Sequence, residues 1–295
     1  GRADGSLGDT GGIEVISSSE VIEMDEDGAR AVRTKKDSSL VRAAEAVRDG
    51  RASAMVSAGN TGATMASALL RMGRLKGVAR PCIATPLPAP AGAPTIMVDS
   101  GANPDCQPEW LVQFAQMAAA FVIERYGTTG RPRVALLSIG EEPSKGNTLV
   151  KETHARLKGV SEAGGAFEFV GNVEGRDLLA GAVDVVVTDG FTGNVALKSL
   201  EGALGTFMSV IGQVFNSSPE AKAAADVLWP ELIGHAERLD PEETGGAMLL
   251  GVNGVCVISH GSSSARAIVN AVRVAHDLAA RGLSAKLAAA VLAPA

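Results

Sequence analysis

The sequence predicts an α/β fold, with a mainly parallel β-sheet covered by helices on both faces. Three observations carry this. Strand-like and helical segments alternate along most of the 295 residues, as in strands joined by crossover helices. The triplet Val185–Val187 in "DVVVTDGFTGNVALK" is β-branched throughout. It lacks in-out alternation, which suits a strand buried on both faces. Almost every strand-like segment is followed by a glycine-bearing polar loop instead of a hairpin turn.

Taken in order, an apolar run at 12–17 is expected to form the first strand. A helical pattern follows at 39–48, then a strand at 54–57 that runs through "SAGNTGA" (57–63) into a helix at 63–72. "PLPAPAGAP" (86–94) reads as a connecting loop, because its prolines and glycine suit no regular element. A strand at 95–98 leads through "DSGANPD" (99–105) to a helix at 109–125. The strand at 134–138 leads through "SIGEEPSKGN" (138–147) to a helix at 147–158. Strands at 167–171 and 183–188 are followed by "GNVEGRD" (171–177) and "TDGFTGN" (188–194), the latter opening a helix at 194–214. The last strand, 255–258, passes through "SHGSSS" (259–264) into a helix at 262–281. The stretch 216–246 is charged and carries Trp229-Pro230. It reads as short helices outside the sheet, so the chain is taken as one domain, 1–295, with a helical excursion at about 210–245.

Composition narrows the function. A formal net charge of −6 argues against non-specific nucleic-acid binding. Aromatics are only 3% beside 35 glycines and 13 prolines, so the core is aliphatic and the loops are tight. No uninterrupted apolar run reaches the roughly 18 residues of a spanning helix, and no signal peptide opens the chain; a cytoplasmic protein is expected. Cys82, Cys106 and Cys256 form no motif and read as reduced thiols. His154, His235, His260 and His276 are scattered without ligand spacing, so no metal site is expected.

In open α/β sheets ligands bind beyond the carboxyl ends of strands, and six loops of this kind would converge on one rim. Glycine allows close backbone approach, and helix N-termini offer unpaired N–H groups to an anion. This is how a phosphate cradle is built. The Walker pattern, the G-x-G-x-x-G fingerprint, the nucleophile elbow and H-E-x-x-H are all missing from the sequence. Lys145, just before a helix opened by Gly146-Asn147-Thr148, either meets an anion with that helix N-terminus or is a solvated loop lysine. Asn60 and Asn194 stand at helix starts, where capping and ligand contact are alternative roles. Asp99 and Asp189 either orient a partner or bond local amides. His260 either donates into the site or packs structurally.

At these loops the sequence resembles the phosphate acyltransferase family of bacterial phospholipid synthesis (PlsX). The resemblance runs through "AVRTKKDSSL", "SAGNTGA", "VDSGANPDCQPEWLVQFA", "GEEPSKGN", "GNVEGRDLL", "DVVVTDGFTGNVALKSLEG" and "HGSSSARAIVNAVR". It implies a three-layer α/β/α sandwich akin to the isocitrate and isopropylmalate dehydrogenases, and a homodimer. It also implies transfer of a fatty acyl group from acyl carrier protein to orthophosphate, with no metal or organic cofactor. Orthophosphate is itself the nucleophile and the thiol leaves readily, so no activated serine or cysteine is needed. Lys145, Asn194, Asn60 and His260 are the candidate catalytic residues. Substrate binding falls to Gly59, Thr61, Gly62, Asp99, Gly101, Asn103, Gly146, Asn147, Asp189, Gly190, Thr192 and Gly193. The family's opening strand and "GGDHAP"-like loop have no counterpart in "GRADGSLGDTGG", so the chain is expected to be a fragment or shortened member lacking that strand and loop. Two other readings stay open, a phosphotransacetylase-like enzyme using acyl-CoA and a non-catalytic scaffold for acyl carrier protein or membrane.

Two surfaces follow from the same reading. Peripheral contact with the inner face of the membrane is expected at 210–239, where Val214, Phe215, Val227, Leu228, Trp229, Leu232 and Ile233 form an apolar face; a dimer interface is the alternative. The acids Glu220, Asp226, Glu231, Glu237 and Asp240 disfavour anionic lipid there. An acidic carrier protein needs a local basic patch, either Arg71, Arg74, Lys76 and Arg80 or Arg30, Arg33, Lys35 and Lys36. The first is expected to point away from the rim of its own subunit, because it closes the helix that "SAGNTGA" opens.

Overall fold

The computed structural model describes residues 12–89, 92–238 and 241–292. All but the last glycine of "GRADGSLGDTGG" lies outside them, as do Leu239, Asp240 and the side chains of Glu231, His235 and Glu237.

Eight strands form one sheet. They are β1 (Ala54–Ser57), β2 (Cys82–Leu87), β3 (Thr95–Val98), β4 (Arg133–Leu137), β5 (Glu168–Val173), β6 (Val185–Val187), β7 (Ala247–Leu250) and β8 (Val255–Ile258). Their spatial order is β1-β8-β7-β2-β3-β6-β4-β5. Neighbours are parallel at both flanks, where β1 pairs β8 and where β3, β6, β4 and β5 follow one another. Through the middle, β8, β7, β2 and β3 alternate in direction.

The sequence reading lacks β2 and β7. Pro86 argues against a strand, but it pairs with Ile96 past Ala84, where β2 has only β3 beside it. A proline is tolerated there as on an edge strand. The expected strand at 12–17 does not form, and Ile13 and Val15 are exposed.

The helices are α1 (Gly28–Thr34), α2 (Ser39–Arg48), α3 (Thr61–Ser67, extended by a π-turn to Met72), α4 (Pro108–Tyr126), α5 (Thr148–Glu162), α6 (Gly190–Phe215), α7 (Pro219–Arg238), α8 (Ala265–Ala280) and α9 (Leu283–Leu292). Strand alternation sorts their partners into three layers. Ala84, Ile96, Leu136, Val187 and Val257 pack with Phe114, Met117, Leu157, Ala271 and Leu278, so α4, α5, α8 and α9 lie on one face. On the other face Ile83, Leu249 and Ile258 meet Ala44, Ala68 and Met72 of the α2–α3 side, while Leu87, Met97 and Val186 meet Ala196, Leu197 and Leu200 of α6. The excursion is not a set of short helices. It is a hairpin of two long helices, 26 and 20 residues, clasped by Phe215 against Trp229 with ring centroids 6.2 Å apart.

Following the pairings across the sheet, β1, β8 and β2 run opposite to β3, β6, β4 and β5. The six glycine loops therefore do not share one rim. Those after β3, β4, β5 and β6 leave at one edge, and those after β1 and β8 leave at the other.

Candidate functional site

Asp99 organises the loop after β3. Its carboxylate is fully buried and accepts from the N–H groups of Ile83 (2.9 Å), Gly101 (3.3 Å), Ala102 (3.1 Å) and Asn103 (2.7 Å), and from Asn103 Nδ2 (2.8 Å). Burial pushes its pKa up, while these donors pull the other way. With so many amides to serve, Asp99 is a loop builder and presents no free oxygen. The loop folds back over the sheet, where the Ser100 and Thr85 hydroxyls lie 2.5 Å apart. Ala102 packs beside Ile83 and Ile258 in the cluster shared with Met65 of α3.

The start of α6 is pressed onto this loop. Gly190 N–H donates to the Asn103 carbonyl at 2.8 Å. A Cβ at Gly193 would stand 2.0 Å from the Asp99 carbonyl oxygen, and one at Gly190 2.7 Å from that of Asn103. Only glycine allows that approach. Asp189 caps the helix, one oxygen accepting from Thr192 N–H and the other from its hydroxyl, both at 2.8 Å. Asn194 is exposed one turn further on, and its carboxamide lies over Gly101.

Lys145 is on the same edge, after β4. The turn from Glu142 to Lys145 is closed by a 3.0 Å backbone bond, and the lysine stem packs over Gly140. The side chain is exposed and makes no ion pair among the described residues. Gly146 follows at φ +93°, a left-handed conformation that suits glycine. Asn147 then caps α5, accepting from Val150 N–H at 2.9 Å. The buried Ser138 hydroxyl, close beneath Gly146, has no hydrogen-bond partner among the described residues.

Asn60 and His260 are not brought to this edge, which corrects the single constellation expected above. Asn60 is buried and fully used. It caps α3 through Ala63 N–H at 2.9 Å and donates to the carbonyls of Glu23, Met24 and Glu26. Gly28 lies against Gly62 and Ala63, and Gly59 N–H is spent on Ser57 Oγ at 3.2 Å. α1 thus packs against the backbone of Gly62 and Ala63, while Thr61 and Gly62 themselves stay exposed at the opposite edge. His260 is exposed beyond β8. Its Nδ1 accepts from Ser262 N–H, which leaves the hydrogen of the neutral ring on Nε2.

Sequence reasoning missed the supports of the Lys145 loop. His154 of α5 and Asn172 of β5 are buried, and Asn172 Nδ2 holds the Glu142 carbonyl at 3.0 Å. His154 lies one helical turn before buried Leu157, a spacing that helical periodicity makes legible. Asn172 falls beyond the expected strand at 167–171, and simple alternation would set it with exposed Glu168 and Val170; the bulge opposite Val134 and Ala135 turns it inward. Among the described residues, no three His, Cys, Asp or Glu side chains cluster as metal ligands. Burial raises the Cys106 and Cys256 thiols to about 12. One described helix, α6, is long and apolar enough to cross a membrane, but its first turn is built into the site.

A family model described as "Fatty acid synthesis protein" matches residues 9–286. A phosphate acyltransferase of Elusimicrobium minutum is 48% identical over 276 residues, covering 94% of this chain and 79% of that protein. One from Bacillus pumilus is 45% identical over 273 residues, covering 92% and 80%. Among solved structures, a phosphotransacetylase from Streptococcus pyogenes aligns with TM-score 0.56 at 18% identity, over 85% of this chain and 70% of that one. A branched-chain phosphotransacylase from Enterococcus faecalis V583 gives 0.53 at 19%, over 81% and 78%. At such identities these two structures speak for the fold alone.

Proposed function

Because this chain belongs to the phosphate acyltransferase family, we propose that it moves a fatty acyl group from the thioester of acyl carrier protein to orthophosphate. A phosphate oxygen attacks the thioester carbonyl carbon, a tetrahedral oxyanion forms, and the carbon–sulfur bond breaks to leave acyl phosphate and a thiolate that takes a proton. The observation that carries this reading is the unpaired Lys145 beside Gly146 and the α5 N-terminus. A cation next to a helix N-terminus suits a phosphate. Asn194 lies over Gly101 on the same edge, which supports giving it the part of polarising the carbonyl. Positioning of two bound reactants is worth roughly 7–11 kcal/mol, and one oxyanion donor about 3–4 kcal/mol.

The helices α6 and α7 expose Phe207, Val210, Val214, Val227 and Leu228. Such a patch suits another protein or a membrane surface, and we assign it to the interface of a homodimer. A cytoplasmic enzyme touching the membrane peripherally fits a lipophilic product. The test is incubation with orthophosphate and either long-chain acyl carrier protein or acyl-CoA. Acyl phosphate from the carrier protein is expected. Product from acyl-CoA alone selects the phosphotransacetylase-like reading, and donor binding without product selects the scaffold.

A further inference from the structure

Beside the site, on the same edge, is a cavity of about 630 Å³ lined by Leu69, Arg74, Ala79, Arg80, Pro81 and Trp110. Its size falls within the roughly 300–1,000 Å³ of small-molecule pockets. Its location follows from strand direction. Because β1 runs opposite to β3, the helix that starts beyond β1 runs back across the sheet and delivers Arg74 to the edge where Asp99 lies. Arg74 and Arg80 therefore lie at the same edge as the Asp99 loop of their own subunit, contrary to the expectation from sequence.

Two arginines border the cavity, and neither pairs with a carboxylate among the described residues. Arg80 lies over the Trp110 ring at 4.9 Å, and Arg74 donates to the Ala79 carbonyl. Arg71, by contrast, faces Glu45 at 3.8 Å, and Lys35 of the other cluster pairs with Glu26 at 2.5 Å. Glu109, beside Trp110, is engaged by Arg156 at 2.7 Å. Leu69, Pro81 and Trp110 supply an apolar wall. One residue joins this wall to the site, since Asn103 Nδ2 donates to the Pro81 carbonyl at 2.8 Å while the Asn103 carbonyl accepts from Gly190.

Two guanidinium groups above an apolar wall suit a phosphate ester carried on a flexible carbon chain. We propose that this cavity holds the phosphopantetheine arm of the acyl donor, its phosphate on Arg74 and Arg80 and its chain leading past Asn103 to the site. The proposal rests on the thioester reading above. The arm is common to acyl carrier protein and acyl-CoA, so the cavity recognises what the two donors share.

The chain has two tryptophans, so Trp229→Phe leaves Trp110 as the only reporter. Pantetheine 4′-phosphate should change Trp110 fluorescence saturably, whereas pantetheine and orthophosphate at the same concentration should not. Arg74→Gln, which spares the Arg80–Trp110 stack, and Arg80→Gln should each weaken this at least about tenfold. An equal response to orthophosphate, persistence in both variants, or no response overturns the proposal. In turnover, Arg74→Gln should lower kcat/KM for both donors. Loss for the carrier protein alone would place an acidic protein surface here, and loss for acyl-CoA alone its nucleotide; either overturns the shared arm. If Trp110 reports the arm yet neither donor gives acyl phosphate, the cavity assignment stands and the functional reading fails.

Discussion

Asn172 and His154 hold one another across the β5–α5 layer, Oδ1 to Nδ1 at 2.9 Å, beneath the loop that carries Lys145. Asn172 spends its N–H on the Glu142 carbonyl, so its oxygen faces the ring and the imidazole hydrogen sits on Nδ1. The T-shaped contact of His154 with Phe169, centroids 5.0 Å apart, fixes the ring. Asn172→Leu should therefore raise the KM for phosphate about tenfold with a smaller change in kcat, as expected when a buried hydrogen bond positioning the loop is lost. In a double-mutant cycle with Lys145→Ala the two effects should be non-additive. Additive effects would dissociate Asn172 from the lysine.

Lys145→Ala should lower turnover at least about tenfold, the scale of one lost charge-assisted contact. Saturable phosphate with unchanged kinetics would remove Lys145 from the reaction. Lys145→Arg keeps the charge but not the compact ammonium over Gly140, so its rescue should be partial.

Asp99→Asn should destabilise the fold by about 1–3 kcal/mol. Whichever way the amide is turned, an NH₂ group then confronts N–H donors. The urea midpoint should fall, and the amides of Ala102 and Asn103 should lose hydrogen-exchange protection together. An unshifted midpoint would mean that the loop does not depend on this carboxylate.

Asp37 ties the segment before α1 to the start of α2, accepting from the hydroxyl of Ser19 at 2.5 Å and from Arg42 Nε at 2.6 Å. The Ser19 hydroxyl, then the Ser19 N–H and Arg42, lower its pKa from 3.8 to about 2. Because the folded value is depressed, the linkage is fully present above the unfolded pKa and is lost as pH falls through about 2. Carboxyl NMR should find Asp37 titrating near that value, with exchange around Ser19 rising only under such acid. Titration at the ordinary aspartate value would refute the tie.

The α6–α7 hairpin should hold the subunits together. Phe207, Val210 and Val214 recur at helical spacing and are exposed by 63%, 51% and 56%. Phe207→Asp with Val210→Asp should convert dimer to monomer in sedimentation. An intact dimer that no longer binds vesicles would transfer this face to the membrane, and no change in either would leave it without both roles.

By itself the sequence determined most elements and many of their joints. Asn60, Asn147 and Asp189 each stand where the chain must turn into a helix, and each does cap one. Val185–Val187 is buried on both faces, as its lack of alternation requires. Helical spacing also placed most of α6, but the helix begins at Gly190 under the Asp189 cap, so Asn194, expected at its start, lies inside it. These features depend on residues within a turn or two of one another, where capping and periodicity act. Only the tertiary structure decided the direction of the central strands. Pairing is chosen by long-range register, which leaves no local trace, and β2, with its internal proline, hid the reversal. That reversal sent Asn60 and His260 to the far edge and brought Arg74 and Arg80 to the near one. It likewise took folding to set Asn172 against His154, 18 residues away, and Arg80 over Trp110. The side chains were legible one by one, but their meeting depends on how the strands pair.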